Sequence, residues 1–469
     1  MDLYPPQAVL VDALGKTTLK GRLVGDEPGI GKTIEALGID KLFRRQFKGH
    51  RITLIIAPRS VHEKPWADTI VRYCQSRPMI IDRKNRQSFI NSIINGEYEY
   101  YICHYDAMRL IIGQLRDVQF MHVIADECQE IKNPSAQKTR AVKKLKTLMK
   151  TAMSGTPADN KPEDLWSILN WLYPRQFISY KAFKNEFCEL VTITDRRGTK
   201  HTNTTGLRKL ADGVTPDPEV LAKLHRQMAP FYMRRRKKDV LEDLPDKYFS
   251  EVRVDLGPEQ RRIYDQLRRE FIAWIGENRD QPLRVKKTLV ISKLTRLQQA
   301  SLAYLEWSPE GKVRLIDPST KLDELVRLIE DGEFSLPFVA FSRSKGMIRL
   351  TTERLTKAGL HVAEFTGDTD DVDRQPRIDG FQEGRYDVFA STIRSGGVGI
   401  TLTASSTEVF FDRDWNPTRN LQAEDRCHRL GQKNAVQVID FFARDTIDAE
   451  VRTANIRKWS DIQLILGDK

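Results

Sequence analysis

GDEPGIGKT, Gly25 to Thr33, lies between Leu23 and Val24, which read as a strand end, and Thr33 to Ile39, which can open a helix. Glycines at a strand-to-helix turn let backbone amides and a helix N-terminus surround an anion. Gly29 and Gly31 permit close approach to phosphates, Lys32 adds charge at the outer phosphates, and the Thr33 hydroxyl can hold Mg2+. The strict G-x-x-x-x-G-K-[ST] pattern fails at one place, because Asp26 stands where the first glycine belongs. The stretch reads either as a phosphate loop or as a glycine-rich turn closing a strand, and the rest of the chain decides.

A chain of 469 residues suffices for two or three domains, each with its own core. Its 76 Lys and Arg against 64 Asp and Glu leave a net charge of +12, which favours a polyanionic partner and puts nucleic acid first. Cys74, Cys103, Cys128, Cys188 and Cys427 are scattered, with no C-x-x-C pair. That points away from a disulfide frame or a zinc site and toward a reduced, intracellular setting. No apolar run is long enough to span a bilayer, and no basic-then-apolar signal opens the chain, so a soluble protein without a membrane partner is expected.

Upstream of the loop, LYPPQ (Leu3 to Gln7) is a Pro-rich entry whose Gln7 amide can donate and accept at once, which suits the edge of adenine. Downstream, β-branched runs alternate with helical patterns: ITLIIAP (Ile52 to Pro58), PMIID (Pro78 to Asp82), YYICHYD around Tyr101, HVIADE (His122 to Glu127) and KTAMSGT ending at Thr156. They predict buried parallel strands with crossover helices, an α/β doubly wound lobe with its ligands beyond the carboxyl ends of the strands. Arg59, Asp126 with Glu127, and Ser154 with Thr156 fall at those ends. One carboxylate of the acid pair can hold Mg2+ while its neighbour orients and deprotonates an attacking water. The bland alternative is a solvated acidic turn, and the upstream loop favours catalysis. Ser154 and Thr156 can pass the nucleotide state to a bound polymer. The cations Lys138, Arg140, Lys143, Lys144 and Lys146 form either a solvated helix face or a phosphate-contacting one.

Val191 to Pro218 is polar with little periodicity and reads as an insertion or mobile loop. MRRRKKDVLEDLP, Met233 to Pro245, reads as a helix joining two lobes, since Val240, Leu241 and Leu244 continue one stripe; a localisation signal is the other reading. Val254 to Ala303 is largely helical by pattern, with Tyr264, Leu267, Phe271 and Ile272 as its core face. A second α/β series follows in KLDELVRLIE (Lys321 to Glu330), PFVAFS (Pro337 to Ser342), HVAEF (His361 to Phe365), DVFAST (Asp387 to Thr392), EVFFD (Glu408 to Asp412) and AVQVIDFF (Ala435 to Phe442). It lacks a phosphate loop and is expected to serve the first lobe's nucleotide from across a cleft. SGGVGITLT (Ser395 to Thr403) can sit close to a ligand. QAEDRCHRLGQ (Gln422 to Gln432) sets Arg426 and Arg429 three apart on one face of a helical turn, as arginine fingers reaching a γ-phosphate.

In order along the chain, LYPPQ, DEPGIGKT, LIIAPRSV, DECQEIKN, SGTPADNKPEDLWSILNWL, RRRKKDVLEDLPDK, AFSRS, TGDTDDVDRQPRIDGFQ, STIRSGGVGITLT, FDRDWNP and QAEDRCHRLGQ resemble the motifs of the Swi/Snf-type ATPases, the double-stranded DNA translocases of helicase superfamily two. The resemblance implies two tandem RecA-like doubly wound parallel-sheet lobes with helical insertions. An ATP-binding lobe over 1–232, a linker or brace with a helical insertion over 233–320, and a C-terminal helicase lobe over 321–469 are expected. ATP and Mg2+ are the implied cofactors, and double-stranded DNA, forked or protein-bound included, is the implied partner of a monomeric motor. Carried over by position, Gln7 reads adenine, while Gly29, Gly31, Lys32 and Thr33 hold the phosphates. Thr33 and Asp126 serve the metal, Glu127 the water, Arg426 and Arg429 are the fingers, and Gly399 lines the cleft. Arg59, Ser342, Gly367, Thr392 and Trp415 fall in motifs that track DNA, Trp415 also reading as a core aromatic after a strand. Gln129, Ser154 and Thr156 couple hydrolysis to DNA.

Three departures carry consequences. Gln129 replaces a His often found after the acid pair, which bears on coupling, and Pro6 replaces an aromatic before the Gln, which bears on adenine stacking. The chain begins and ends almost with the motor, so it resembles the compact annealing-helicase branch and bacterial or phage relatives more than a large remodeller, with a place in cytoplasm or nucleoid. The expected activity is a DNA-stimulated ATPase that translocates along duplex DNA. Its rivals are a strand-unwinding or annealing helicase acting at forks or on RNA, and an ATP-gated DNA clamp that does not move.

Overall fold

Runs of branched and aromatic residues form the strands of two parallel sheets in the computed structural model, which describes residues 5–468 apart from 16, 17, 19, 48, 50, 83, 195–199, 242, 278–282, 311, 312, 397 and 398. The LY of LYPPQ and two residues of the SGGVG turn therefore lie outside the described residues. The chain divides into a first unit, Met1–Val191 with Asn203–Glu242 and Lys458–Lys469, and a second, Thr192–Thr202 with Asp243–Arg457.

In the first unit the strands are β1 (Gly21–Val24), β2 (Thr53–Ile56), β3 (Met79–Ile80), β4 (Tyr100–Cys103), β5 (Gln119–Asp126) and β6 (Lys146–Met153); after a two-stranded sheet of β7 (Cys188–Thr194) and β8 (Lys200–Leu207), of which Thr192–Thr202 is grouped with the second unit, comes β9 (Tyr232–Met233) of the first. The main sheet runs β3-β4-β2-β5-β6-β1-β9, and every pairing is parallel. Alternate residues of β2 and of β5 enter separate cores: Leu54, Ile56, Val123 and Ala125 on one side, Ile55 and Ile124 on the other. Helices cover both faces, as a sheet with apolar side chains on each face requires.

One polar network interrupts that core. Asp40, on the helix Lys32–Gln46, accepts from the Thr53 hydroxyl at 2.7 Å and the Tyr100 hydroxyl at 2.9 Å, pairs with Arg44 at 2.6 Å, and meets His122 Nδ1 at 2.9 Å. His122 Nε2 continues to the Thr151 hydroxyl at 2.8 Å. Burial would raise the Asp40 carboxyl, but His122 and Arg44 hold it down to about 2. The helix leaving the phosphate loop is thereby fastened to β2, β4, β5 and β6.

The second unit holds β10 (Lys247–Val254), the hairpin β11 (Tyr304–Trp307) and β12 (Val313–Ile316), then β13 (Phe338–Ser342), β14 (Val362–Phe365), β15 (Val388–Thr392), β16 (Thr407–Phe410) and β17 (Val436–Ala443). Its six-stranded sheet, β10-β17-β16-β13-β15-β14, is again parallel throughout. Phe338 and Ala340 face one core, Val339 and Phe341 the other. Among the described residues no helix is long and apolar enough to cross a membrane.

Four expectations are corrected. Met233 to Pro245 is not a bridging helix: β9 pairs with β1, and among the described residues of the stretch only Lys237–Val240 is helical. The polar stretch after Val191 contains β7 and β8, where alternating Thr favours an extended chain. Helices Pro258–Glu277 and Leu283–Leu302 fill the expected helical region, but Ile272 is 60% exposed and only Tyr264, Leu267 and Phe271 of the proposed stripe pack inward. The units also cut across the expected three-way division, because β10 joins the second sheet while residues 458–469 group with the first unit.

Candidate functional site

β1 ends at Val24, and the chain turns through the glycines into the helix Lys32–Gln46. Gly29 and Gly31 have φ of 94° and 110°, and a Cβ on Gly31 would lie 2.3 Å from Gln7 Nε2. Only glycine fits there. Gln7 is buried and donates to the Ile30 carbonyl at 3.1 Å, so the entry helix Pro5–Gly15 is tied to the loop. Lys32 Nζ donates to the carbonyls of Asp26 at 2.7 Å and Glu27 at 3.2 Å, acceptors that phosphate oxygens can replace.

Asp26, the residue that breaks the strict pattern, is fully buried and has a partner 209 positions away. It accepts from the Arg235 amide and from Arg235 Nε, each at 2.9 Å, and Arg235 Nη2 reaches both Asp26 and the buried Glu35. Burial, reinforced by Asp26, lifts the Glu35 carboxyl to about 7 against the pull of Arg235. Arg234 Nη1 donates to the carbonyls of Gly25 at 2.5 Å and Gly155 at 2.7 Å, and Asp468 holds its Nε at 2.7 Å and Nη2 at 2.8 Å. These two arginines back the loop, and the sequence reading missed them. The signal was there: an acid in a glycine's place and an unmatched run of cations after β8.

On the other side of β6 from β1, Asp126 closes β5. Trp66 Nε1 donates to its Oδ2 at 2.8 Å, the Tyr105 hydroxyl donates to its main-chain carbonyl at 2.6 Å, and the Glu127 amide donates to Oδ1 at 3.0 Å. Glu127 has a left-handed backbone, φ 50°, and its Oε2 accepts from Gln129 Nε2 at 2.6 Å. Gln129 thus positions the second carboxylate directly. Burial, then the adjacent Glu127, push the Asp126 carboxyl up to about 7. A dication relieves such crowding. With the Thr33 hydroxyl in the helix's first turn, the residues present fit a nucleotide polyphosphate and Mg2+.

Ser154 and Thr156, buried beyond β6, are linked by a bond from the Thr156 amide to the Ser154 hydroxyl at 3.0 Å. Between them, Gly155 lies so close to the loop that a Cβ would be 2.7 Å from Pro28 Cδ. Of the basic run, Lys138 pairs with Glu130, Lys143 donates to Asn170 at 2.7 Å and Lys146 to Asp117 at 2.9 Å. Arg59 is exposed beyond β2, with Nη2 2.9 Å from His104 Nε2.

In the second unit Gly399 has φ 72°, and the following Ile400 carbonyl accepts from Arg426 Nη1 at 3.2 Å and Arg429 Nη1 at 2.9 Å. The helix Pro417–Glu424 ends before either arginine, so the pair converges through a turn and not along one helical face. Burial, then the charge of Arg426, lower Arg429 to about 10. Such a pair is receptive to an anion.

The residues expected to track DNA divide. Arg59 and Gly367 are exposed. Ser342 is fully buried with its hydroxyl on Asp412 at 2.7 Å, and the adjacent Arg343 is the cation at that strand end. Thr392 is buried and donates to the Ser395 hydroxyl at 2.9 Å. Trp415 packs against the second unit's core and donates Nε1 to Gln298 Oε1 at 3.1 Å, as a core aromatic does.

Comparison with known proteins adds a family. A model described as SNF2-related domain matches residues 12–303, and one described as Helicase conserved C-terminal domain matches residues 319–431. A probable chromatin-remodeling complex ATPase chain of Oryza sativa subsp. japonica is 25% identical over 442 residues, covering 92% of this chain and 37% of that protein. An uncharacterized ATP-dependent helicase of Mycoplasma pneumoniae is 27% identical over 437 residues, 92% of this chain and 39% of its own. The chain thus spans under two fifths of the length of these relatives. Among solved structures, the SWI2/SNF2 ATPase core of Sulfolobus solfataricus in complex with dsDNA is similar at 24% identity and a TM-score of 0.46, covering 99% of this chain and 95% of that one.

Proposed function

Because the chain belongs to the SNF2-related family of helicase-like ATPases, we propose that it is a DNA-stimulated motor that couples ATP hydrolysis to translocation along duplex DNA. The observation that carries this reading is the phosphate loop at the end of β1 facing the same sheet edge as the acid pair at the end of β5, with one strand between them. Gln7 and the glycine cradle bind and orient the nucleotide, and Lys32 moves from the loop carbonyls to the outer phosphates. Mg2+, held through Thr33 and Asp126, would neutralise charge on the transferred phosphoryl group. Glu127, oriented by Gln129, accepts the proton of the attacking water. Arg426 and Arg429 answer the charge that develops on the γ-phosphate. Ser154, Gly155 and Thr156, packed on the loop, relay its state toward bound DNA.

Duplex DNA as the track is supported by the net charge of +12 and by relatives named as chromatin-remodeling ATPases and helicases. Contacts of this kind are made to phosphates, so binding is salt-sensitive and weakly sequence-specific. The test is ATP hydrolysis by wild type and Lys32→Ala with no nucleic acid, duplex DNA, single-stranded DNA or RNA, at two salt concentrations. Greatest stimulation by duplex, abolished in Lys32→Ala, is expected. Greater stimulation by single strands or RNA favours an unwinding helicase, and binding without stimulation favours a clamp.

A further inference from the structure

β16 is an inner strand, and its register sets Glu408 between Val339 of β13 and Val438 of β17, on the side of the sheet where Phe410 enters the core. That position calls for an aliphatic residue. Glu408 is fully buried there, and its Oε2 has no hydrogen-bond partner among the described residues. An acid so placed costs stability unless it makes a contact that an aliphatic residue cannot. Its Oε1 accepts from the Cys427 amide at 3.3 Å, and Cys427 stands between Arg426 and Arg429. Burial lifts the Glu408 carboxyl to about 8 against the Cys427 contacts, with Glu424 adding to the rise and Lys247 opposing it. Near neutrality the group is therefore an uncharged acid, which accepts from the amide without forming an ion pair with the arginines on either side. The Cys427 carbonyl is held as well. Gln432 Nε2 donates to it at 3.2 Å, to the Ser405 carbonyl at 2.8 Å and to the Thr403 carbonyl at 3.4 Å. Gln432 Oε1 accepts from the Lys433 and Asn434 amides at 2.9 and 3.0 Å. Carbonyls around one end of the side chain and amides at the other settle which atom is the oxygen.

We propose that Glu408 and Gln432 are positioning residues for ATP hydrolysis, gripping the amide and the carbonyl of Cys427 so that the turn aims Arg426 and Arg429 together. The inference rests on the finger role given to those arginines above and adds what holds them in place. A grip of this kind is required by the charges. Both guanidiniums converge on the Ile400 carbonyl, where like charge drives them apart, and the helix Pro417–Glu424 has already ended, so no helical ladder fixes their backbone. The Leu402 amide donates to the Arg426 carbonyl at 3.0 Å, which supplies a third point of attachment. The turn is thus fastened to β16 through Glu408 and to residues 402–405 through Leu402 and Gln432. Both side chains act through the arginines, and the one aliphatic position given up on β16 is the cost of the first grip.

The test is single-turnover hydrolysis of labelled ATP by the full chain at about pH 7, with whichever nucleic acid stimulates wild type most, and affinity for a fluorescent ATP analogue in parallel. Glu408→Leu removes the acceptor for the Cys427 amide, whereas Glu408→Gln, the isostere of the protonated acid, keeps it. Gln432→Glu turns a carboxylate on the three carbonyls that Nε2 serves. Glu408→Leu is expected to slow hydrolysis by about tenfold and Gln432→Glu by about a hundredfold, with analogue affinity unchanged and Glu408→Gln within about threefold of wild type. Because Glu408→Leu also removes a buried acid, hydrogen exchange of the β16 peptides should be as slow as in wild type or slower, whereas a merely structural role would speed exchange as it slowed hydrolysis. In a chain carrying Arg426→Ala and Arg429→Ala, the Glu408 and Gln432 substitutions should cost nothing further. A wild-type rate in Glu408→Leu or Gln432→Glu, or losses undiminished in the chain without the two arginines, overturns the positioning role and leaves the finger reading standing. A wild-type rate in the chain without the two arginines overturns the finger reading itself.

Discussion

Arg235→Ala removes a cation shared by two buried carboxylates, and its cost follows from the geometry. Asp26 takes one bond of 2.9 Å from the Arg235 amide, which alanine keeps, and one of 2.9 Å from Arg235 Nε, which it loses together with the Nη2 contacts to Asp26 and Glu35. The side chains of Asp26 and Glu35 have 0% exposure and that of Arg235 10%, so water screens little of the loss. Stranding one partner of a buried pair costs about 3–5 kcal/mol, and here Glu35 loses its guanidinium while Asp26 keeps the main-chain amide at position 235, so the lower half of that range is expected. This is a large share of the roughly 5–15 kcal/mol that holds an ordinary domain folded. The damage is local: β9 pairs with β1 at Leu23–Tyr232 and Val24–Met233, two positions before Arg235. Because a chain of two units does not unfold in one step, hydrogen exchange of the β1 and β6 peptides is the appropriate assay. A fluorescent ATP analogue reports the loop in parallel, and its affinity is expected to fall. A double-mutant cycle with Asp26→Ala should return a coupling of about 2 kcal/mol or more. Opening of β1 made easier by less than about 1 kcal/mol, or additive single mutants, would refute the view that this pairing supports the loop.

Three further outcomes are expected. Gln129→Ala removes the amide that donates to the Glu127 carboxylate and should lower turnover by about tenfold with little change in ATP affinity, with Gln129→His restoring part of the rate; a fall in affinity alone would contradict the positioning role. Arg429→Ala should lower DNA-stimulated turnover by about a thousandfold, read in steady-state hydrolysis, and an unchanged rate would remove it from the reaction. Glu408 is fully buried on β16, where burial, chiefly, lifts its carboxyl to about 8. The folded unit therefore holds a proton that the unfolded chain releases above about 4.5, and stability declines as pH rises from there through about 8. Glu408→Gln should flatten that decline in denaturant titrations of the second unit between about pH 6 and about pH 9, and an unaltered slope would exclude Glu408 as its source.

Both sheets were legible because a parallel strand covered on each face is an unbroken apolar run, as in TLII and FVAFS, and its pattern needs no partner to be read. The loop glycines and the acid pair were legible for a related reason: their chemistry is confined to neighbouring residues. Arginines were less so, since a guanidinium does its work wherever the fold carries it. Arg426 and Arg429 are three apart in the sequence, yet they meet on the Ile400 carbonyl through a turn and not by helical spacing. Ser342 and Trp415 look like contact residues in a motif, but each spends its donor inside the second unit, on Asp412 and Gln298. Arg234 and Arg235 were hidden by the apolar stripe beside them, which resembles a helix although β9 claims the chain first. The mismatch at Asp26 nonetheless held their trace. A carboxylate placed where glycine normally lets a loop close must either face water or be matched by a cation, and at a strand end under a helix water is not available. The Arg run after β8 was the available match, so the departure from the motif was itself evidence for a contact spanning 209 residues.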